Sequence, residues 1–427
     1  MRRIVVGVLL LAGLIILISS GNGKMNLAGM SVFDRMQGKV FAQIFQKDPY
    51  TSKREFERVL TLQERQPIYM KRETFIPIGE LEADQPVVLV GEDEAYYEIQ
   101  LGKMTVFIRK EQATVEKKKL RVFLHTERLA AVKTFRKTAV YENADVQSGI
   151  ILQLEEGYRY PIVQDEEDWY IVKIGERPGY IHKQSVALDE GLPVLVYHHI
   201  LPRDEMKTMT STISLESFEQ QMGYLADHKF ETLTSQQLYD YLEGRLVVPS
   251  KAVLITFDDG LLSSKEYAYP ILKQYGFKAP HHIISTRTHR AHGGQLFDAE
   301  GPFQYLSAED LVEMKDVFDF EAHTDNLHAL LNNKGMVFEH SKEEIVADLQ
   351  RNIEQLPVAV SLAYPYGQYN EEFISAAKEI GLLIGYTTVE GYANMKGSNY
   401  EVCRYGMTEK KSFEQFVMYV DGDMTWQ

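Results

Sequence analysis

Two imidazoles and one carboxylate can hold a divalent metal on one side and leave positions open for water and substrate. Asp259, His323 and His328 could supply such a set. A second carboxylate beside it, Asp258, could take the proton of an attacking water. Adjacent aspartates point to opposite sides of a strand, so both can serve one site only if the strand ends there, and Gly260 permits that turn. The five-residue interval between His323 and His328 would put them on different faces of one helix. His323 is therefore expected at a strand end, and His328 in the loop or first helical turn beyond. Taken singly these are weak signals, because a lone histidine at a strand end is more often structural and Asp-Asp-Gly is a common turn. Their convergence with Tyr197-His198-His199 and Tyr364-Pro365-Tyr366 is what points to chemistry.

The positioning elements lie between Gly191 and the C-terminus. Apolar runs at 192–197, 252–257, 283–285, 318–322, 358–362, 382–386 and 402–407 are short enough for buried strands, and helical stretches separate most of them. Ser341 with Glu344 opens one helix as a capping box, and Gly381 closes another. Such alternation predicts an α/β fold with a mostly parallel sheet, and about seven strands allow a distorted partial (β/α) barrel. In such barrels catalytic groups gather at the C-terminal ends of the strands, where each of these polar clusters falls.

TFDDG at 256–260 with its continuation YAYPILKQYGFKA, AHTDNLHAL at 322–330 and AYPYG at 363–367 resemble the polysaccharide deacetylases, the family four carbohydrate esterases. The resemblance covers nearly all of residues 191–427. It implies hydrolysis of N-acetyl groups on a GlcNAc-containing polysaccharide such as peptidoglycan or poly-N-acetylglucosamine. It further implies Asp258 as general base, Asp259, His323 and His328 as ligands of zinc or a similar divalent ion, and the backbone N–H of Tyr366 as an oxyanion donor.

This sequence departs from the family pattern in several places. The family often has a four-residue interval between the motif histidines and an arginine where Ala363 stands, and no late Leu-x-His supplies an acid. Instead PVLVYHHI precedes TFDDG, which resembles the permuted branch containing the biofilm poly-N-acetylglucosamine deacetylases. There the acid histidine directly follows a tyrosine of the first strand, which selects His198 over His199. Arg404, in the last expected strand, could replace the missing arginine and orient Asp258; a structural arginine is the equal alternative. His281 and His282 stand where the family usually has small or apolar residues, and are read as structural, with a role in the pocket as the alternative. Ala363 also keeps open a catalytically inactive, membrane-tethered wall- or sugar-binding protein.

Upstream, Arg2 and Arg3 precede an uncharged apolar run at 4–18, an export signal that serves either as an uncleaved anchor or as a cleaved leader over residues 1–23. The catalytic half is therefore expected outside the membrane at the bacterial cell surface. A helical stripe at 26–45, and a second helix opened by Ser52 and Glu55, suggest a stalk over 24–67. Alternating segments from about 68 to 188 read as two small all-β barrels, at 68–117 and 130–188. Glu92–Ile108 overlays Glu166–Ile181, with Tyr96 on Trp169, Gly102 on Gly175 and Phe107 on Tyr180. The second copy resembles bacterial SH3-like domains, which implies either a spacer or a wall-binding module. A net charge of −15 argues against a nucleic-acid partner, and the only cysteine, Cys403, can form no internal disulfide.

Overall fold

The computed structural model describes residues 50–111, 113–123 and 130–422. The apolar run at 4–18 and the stripe at 26–45 lie outside the described residues. Among the described residues, no helix is long and apolar enough to cross a membrane.

The helix expected from Ser52 is instead a strand, Tyr50–Leu62, paired antiparallel with Ala113–Phe123. A local capping signal offers about 1 kcal/mol. The strand buries Val59, Leu60 and Leu62, and that tertiary packing decides the matter.

The repeat is real in three dimensions, but its copies do not form two separate barrels. The hairpins Tyr96–Leu101/Met104–Arg109 and Trp169–Ile174/Arg177–His182 correspond, with left-handed turns at Gly102 and at Gly175. Tyr96 and Phe107 meet edge-on at 6.3 Å, as Trp169 and Tyr180 do at 6.5 Å. Each copy adds one more hairpin, Gln66–Lys71/Phe75–Leu81 or Thr138–Tyr141/Ile150–Leu154. These eight strands form one closed path, sealed where Ile174 pairs with Leu101 and Leu152 with Leu81. One core runs through both copies, with Ile68, Ile99 and Val106 against Ile151, Val172 and Ile181. Closure removes the exposed edges that two half-sheets would leave, and eight strands enclose a space that side chains can fill.

This barrel is fused to the α/β half. Val247 lies in its core, and Val248–Pro249 pairs antiparallel with Tyr158–Ile162. Arg159, only 2% exposed, locks the junction: it donates to Asp189 Oδ1 at 2.6 Å, to the Gly191 carbonyl at 2.7 Å and to the Ser250 carbonyl at 2.8 Å. Tyr241 donates to the other oxygen of Asp189.

In the α/β half, seven parallel strands run in the order Ile384–Tyr386, Ser361–Ala363, Phe318–Ala322, Ala279–Ile283, Ala252–Phe257, Val194–Tyr197, Tyr405–Gly406. Ala252–Phe257 is buried along its whole length, as its unbroken apolar run requires. The last segment spans the opening of the barrel: Val402 bridges to Tyr386 on one edge, and Tyr405 pairs with Leu195 on the other. Capping boxes at Thr234, Ser307, Ser341 and Ser412 start the surrounding helices. On Ala279–Ile283, His281 points outward among Phe257, Phe318 and Phe320, while His282 points into the barrel.

Two outcomes follow for stability. Arg159→Ala leaves Asp189 buried without its main cation and should cost about 3–5 kcal/mol in chemical denaturation. A change below about 1 kcal/mol would show that the junction does not depend on the pair. His281 carries a buried Nδ1 without a partner, and burial pushes its pKa down to about 3. The unfolded chain therefore binds a proton at His281 below about pH 6.5 while the folded chain stays neutral there, so stability falls on acidification from about 6.5 towards 3. His281→Phe should raise the unfolding midpoint and remove that part of the acid sensitivity, checked by denaturation at pH 7 and pH 5.

Candidate active site

The strand Ala252–Phe257 ends in Asp258 and Asp259, and the chain turns there by an unusual route. Asp259 itself adopts φ 76°, followed by Gly260 at 69°. Gly260 permits the turn as its residue type suggests, and Asp259 joins it; the two successive left-handed residues aim the two carboxylates at different partners. Asp258 stays inside the barrel. Arg404 grips it with two parallel hydrogen bonds, Nη1 to Oδ1 at 2.9 Å and Nη2 to Oδ2 at 2.7 Å. Arg404 is in turn fixed by the Thr387 carbonyl at 3.0 Å and Thr256 Oγ1 at 3.2 Å. His282 donates through Nδ1 to Asp258 Oδ1 at 2.9 Å, so it faces the site, and the structural role expected for it is not its whole role. Burial alone would raise the Asp258 pKa, but the Arg404 charge and the His282 hydrogen bond hold it well below the usual carboxylate range.

Asp259 faces the two motif histidines, with Oδ1 3.4 Å from His323 Nε2 and 3.1 Å from His328 Nε2. One donor atom from each residue lies within 4.8 Å of the other two. Nδ1 of His323 sits 2.7 Å from the Ala363 carbonyl, which can only accept, so Nδ1 carries the proton. A neutral His323 ring then turns a lone pair towards a carboxylate oxygen. That contact is repulsive without a cation between the atoms, and the donor set fits a divalent ion.

His323 ends its strand, and His328 lies in the loop beyond, with no helix between them. The five-residue interval is absorbed by Thr324, at φ 69°. Helix Lys342–Ile353 supports this loop: Asn352 accepts from the His323 N–H at 3.1 Å and donates to the Thr324 carbonyl at 3.0 Å, while Asp348 accepts from the N–H groups of Asp325 and Asn326. Sequence reading missed both residues. Their signal was two polar side chains, four apart, on the helix face that carries Ile345 and Leu349.

The remaining expected residues fall around the same opening. His198 lies just past the C-terminal end of Val194–Tyr197. His199 turns away, with Nδ1 2.8 Å from Ser263 Oγ and its ring against Phe303; burial pushes its pKa down to about 4. Tyr366, at φ 57° and 44% exposed, lays its ring 4.5 Å from that of His328 at the rim. A side chain at Gly367, itself at φ 67°, would drive a Cβ to 2.0 Å from Thr388 Oγ1, so glycine is required to complete this turn. Cys403, half-buried, makes no disulfide among the described residues.

Residues 246–385 match the family model described as polysaccharide deacetylase. YxkH of Bacillus subtilis (strain 168), assigned to the polysaccharide deacetylases, is 30% identical over 54% of this chain and 76% of its own length. The poly-β-1,6-N-acetyl-D-glucosamine N-deacetylase of Staphylococcus epidermidis is 29% identical over 53% of this chain and 82% of its own. Among solved structures, IcaB from Ammonifex degensii is 29% identical, covering 55% of this chain and 98% of its own with a TM-score of 0.47. The chain belongs to the polysaccharide deacetylase family, hydrolases that act on amide C–N bonds.

Proposed function

We propose that this protein removes acetyl groups from N-acetylglucosamine units of a surface polysaccharide and releases acetate. Poly-β-1,6-N-acetylglucosamine is the first candidate polymer and peptidoglycan the second. The observation that carries this reading is the pairing of an arginine-gripped Asp258 with the adjacent set Asp259, His323 and His328. The choice of polymer draws on relatives named for poly-β-1,6-N-acetyl-D-glucosamine deacetylation.

Asp259, His323 and His328 would hold a divalent ion, zinc suiting two imidazoles and a carboxylate, and the ion would supply Lewis acidity towards the acetyl oxygen and the attacking water. Asp258 takes the proton of that water. Its depressed pKa keeps it ionised and able to accept throughout the physiological range, at the cost of a weaker base. The backbone N–H of Tyr366 donates to the oxygen on which negative charge develops. His198 gives a proton to the departing amine, so that acetate and a free glucosamine amine result. The export signal at residues 2–18 supports a site of action outside the membrane, with the enzyme either anchored by the uncleaved apolar run or released by its cleavage.

The two aspartates separate experimentally. Asp259→Ala, His323→Ala and His328→Ala should each lose bound metal by elemental analysis together with acetate release. Asp258→Asn should keep the metal and lose roughly 10²–10⁴-fold in rate. Assay of the parent on poly-β-1,6-N-acetylglucosamine, peptidoglycan and chitooligosaccharides should give most acetate from the first; none from any of them would sink the reading.

The two neighbouring histidines also divide. His198→Ala should abolish acetate release while metal content is preserved. His199→Ala should keep most of the activity, because its ring is committed to Ser263 and Phe303. The opposite pattern would make His199 the acid.

A further inference from the structure

Asp258 is held by more than its arginine. His282 Nδ1 lies 2.9 Å from Asp258 Oδ1 and 3.1 Å from the Phe257 carbonyl. Both partners can only accept, so Nδ1 carries the proton whatever the charge of the ring. On the far side, Nε2 lies 3.1 Å from Ser361 Oγ. Ser361 Oγ is 3.1 Å from Ser235 Oγ, which is 3.1 Å from the Tyr386 hydroxyl. With a neutral His282 ring, Nε2 accepts from the Ser361 hydroxyl, and the chain acquires one consistent direction: Tyr386 to Ser235 to Ser361 to His282 to Asp258. His282, Ser361, Ser235 and Tyr386 are all at most 1% exposed, so water does not compete for these bonds.

The arrangement divides the two oxygens of Asp258. Oδ1 accepts from both Arg404 and His282, whereas Oδ2 accepts only from Arg404. A carboxylate offers about four acceptor positions, two on each oxygen, so the position left open is on Oδ2.

We infer that His282 is a positioning residue which, backed by Ser361, Ser235 and Tyr386, saturates Asp258 Oδ1 and fixes the carboxylate so that Oδ2 receives the proton in catalysis. A role in the pocket was the alternative reading for both His281 and His282, and alternation along Ala279–Ile283 leaves open which of the two faces inward. The inference rests on the reading of Asp258 as the base.

The test compares five variants of the metal-loaded protein on a β-1,6-linked N-acetylglucosamine oligomer, with kcat, KM and metal content read for each. His282→Phe keeps the bulk and removes the donor; it should lower kcat by roughly 10–100-fold, as loss of a supporting hydrogen bond does around metal sites, with KM and metal content unchanged. His282→Asn can place an amide N–H near the lost Nδ1–H and should recover most of that rate. Ser361→Ala should lower kcat by less and in the same direction. In an Asp258→Asn background, His282→Phe should cause no further loss, because it acts through that carboxylate. Wild-type kcat in folded His282→Phe, or a loss confined to KM or metal content, would overturn the inference. Should the phenylalanine variant not fold, wild-type kcat in Ser361→Ala overturns it instead. An active Asp258→Asn enzyme would instead refute the base itself, whereas an inactive one beside an unaffected His282→Phe would refute only the positioning role.

Discussion

The Arg404–Asp258 pair is where fold and chemistry become one problem. A guanidinium and a carboxylate are both withdrawn from water inside the barrel, and each such ion costs several kcal/mol unless its partner and remaining hydrogen bonds are in place. Arg404 reaches that position because its segment spans the barrel opening, pairing with Tyr386 at one end and Leu195 at the other. The seam of the sheet and the orientation of the Asp258 carboxylate are thus fixed by the same few residues. Asp258 receives its cation from the segment just before Tyr405–Gly406 and not from position 363, and what Ala363 contributes is its carbonyl, which fixes the tautomer of His323.

Around this pair the backbone is held in conformations that ordinary residues avoid. Asp259, Thr324 and Tyr366 all have positive φ, and each such non-glycine residue costs of the order of 1–3 kcal/mol. Other positive-φ residues occur in the chain, but these three follow the C-terminal ends of three strands of the one barrel, Ala252–Phe257, Phe318–Ala322 and Ser361–Ala363. Surrounding contacts determine them: Asn352 and Asp348 bind the loop after His323, and the close approach of Gly367 to Thr388 shapes the turn after Tyr366. Donor atoms set by such turns have little freedom to move away from a bound ion or substrate, which is the preorganisation that hydrolysis at a fixed carbonyl requires.

The β region is part of the same body. A duplicated hairpin pair could have closed on itself twice; here each copy supplies half of one barrel, so neither has a core of its own. The shared pairing at Val248–Pro249 and the Arg159 network then tie that barrel to the α/β half, with Asp189 buried at the point where a flexible linker would otherwise run. A detachable targeting module would show an exposed, polar boundary. This junction is the reverse, and any contribution of the β region to polymer binding must be made as a rigid extension of the enzyme.

How much of this was legible depended on whether a feature is local. Most of the parallel strands overlap short apolar runs, and the helix starts follow from capping boxes, because burial on both faces and end-capping are properties of neighbouring residues; the exception is Ala279–Ile283, which meets the run expected at 283–285 only at Ile283 because its buried His281 and His282 break the apolar pattern. The motif residues Asp258, Asp259, His323 and His328 were legible from type and spacing, and so was the repeat, since Tyr96 and Trp169 occupy equivalent hairpin positions. Three things were not. Ser52 and Glu55 fit a helix start, yet pairing with a partner strand some sixty residues away made that segment a strand. The repeat could not say whether its copies close separately or together, because closure depends on long-range pairing such as that of Ile174 with Leu101. The choice between His281 and His282 turned on which side of their strand met the interior, and alternation by itself is symmetric. Sequence determined which groups were available for the chemistry. Tertiary structure decided which oxygen, nitrogen and carbonyl they meet, because those contacts join strands that share no local signal.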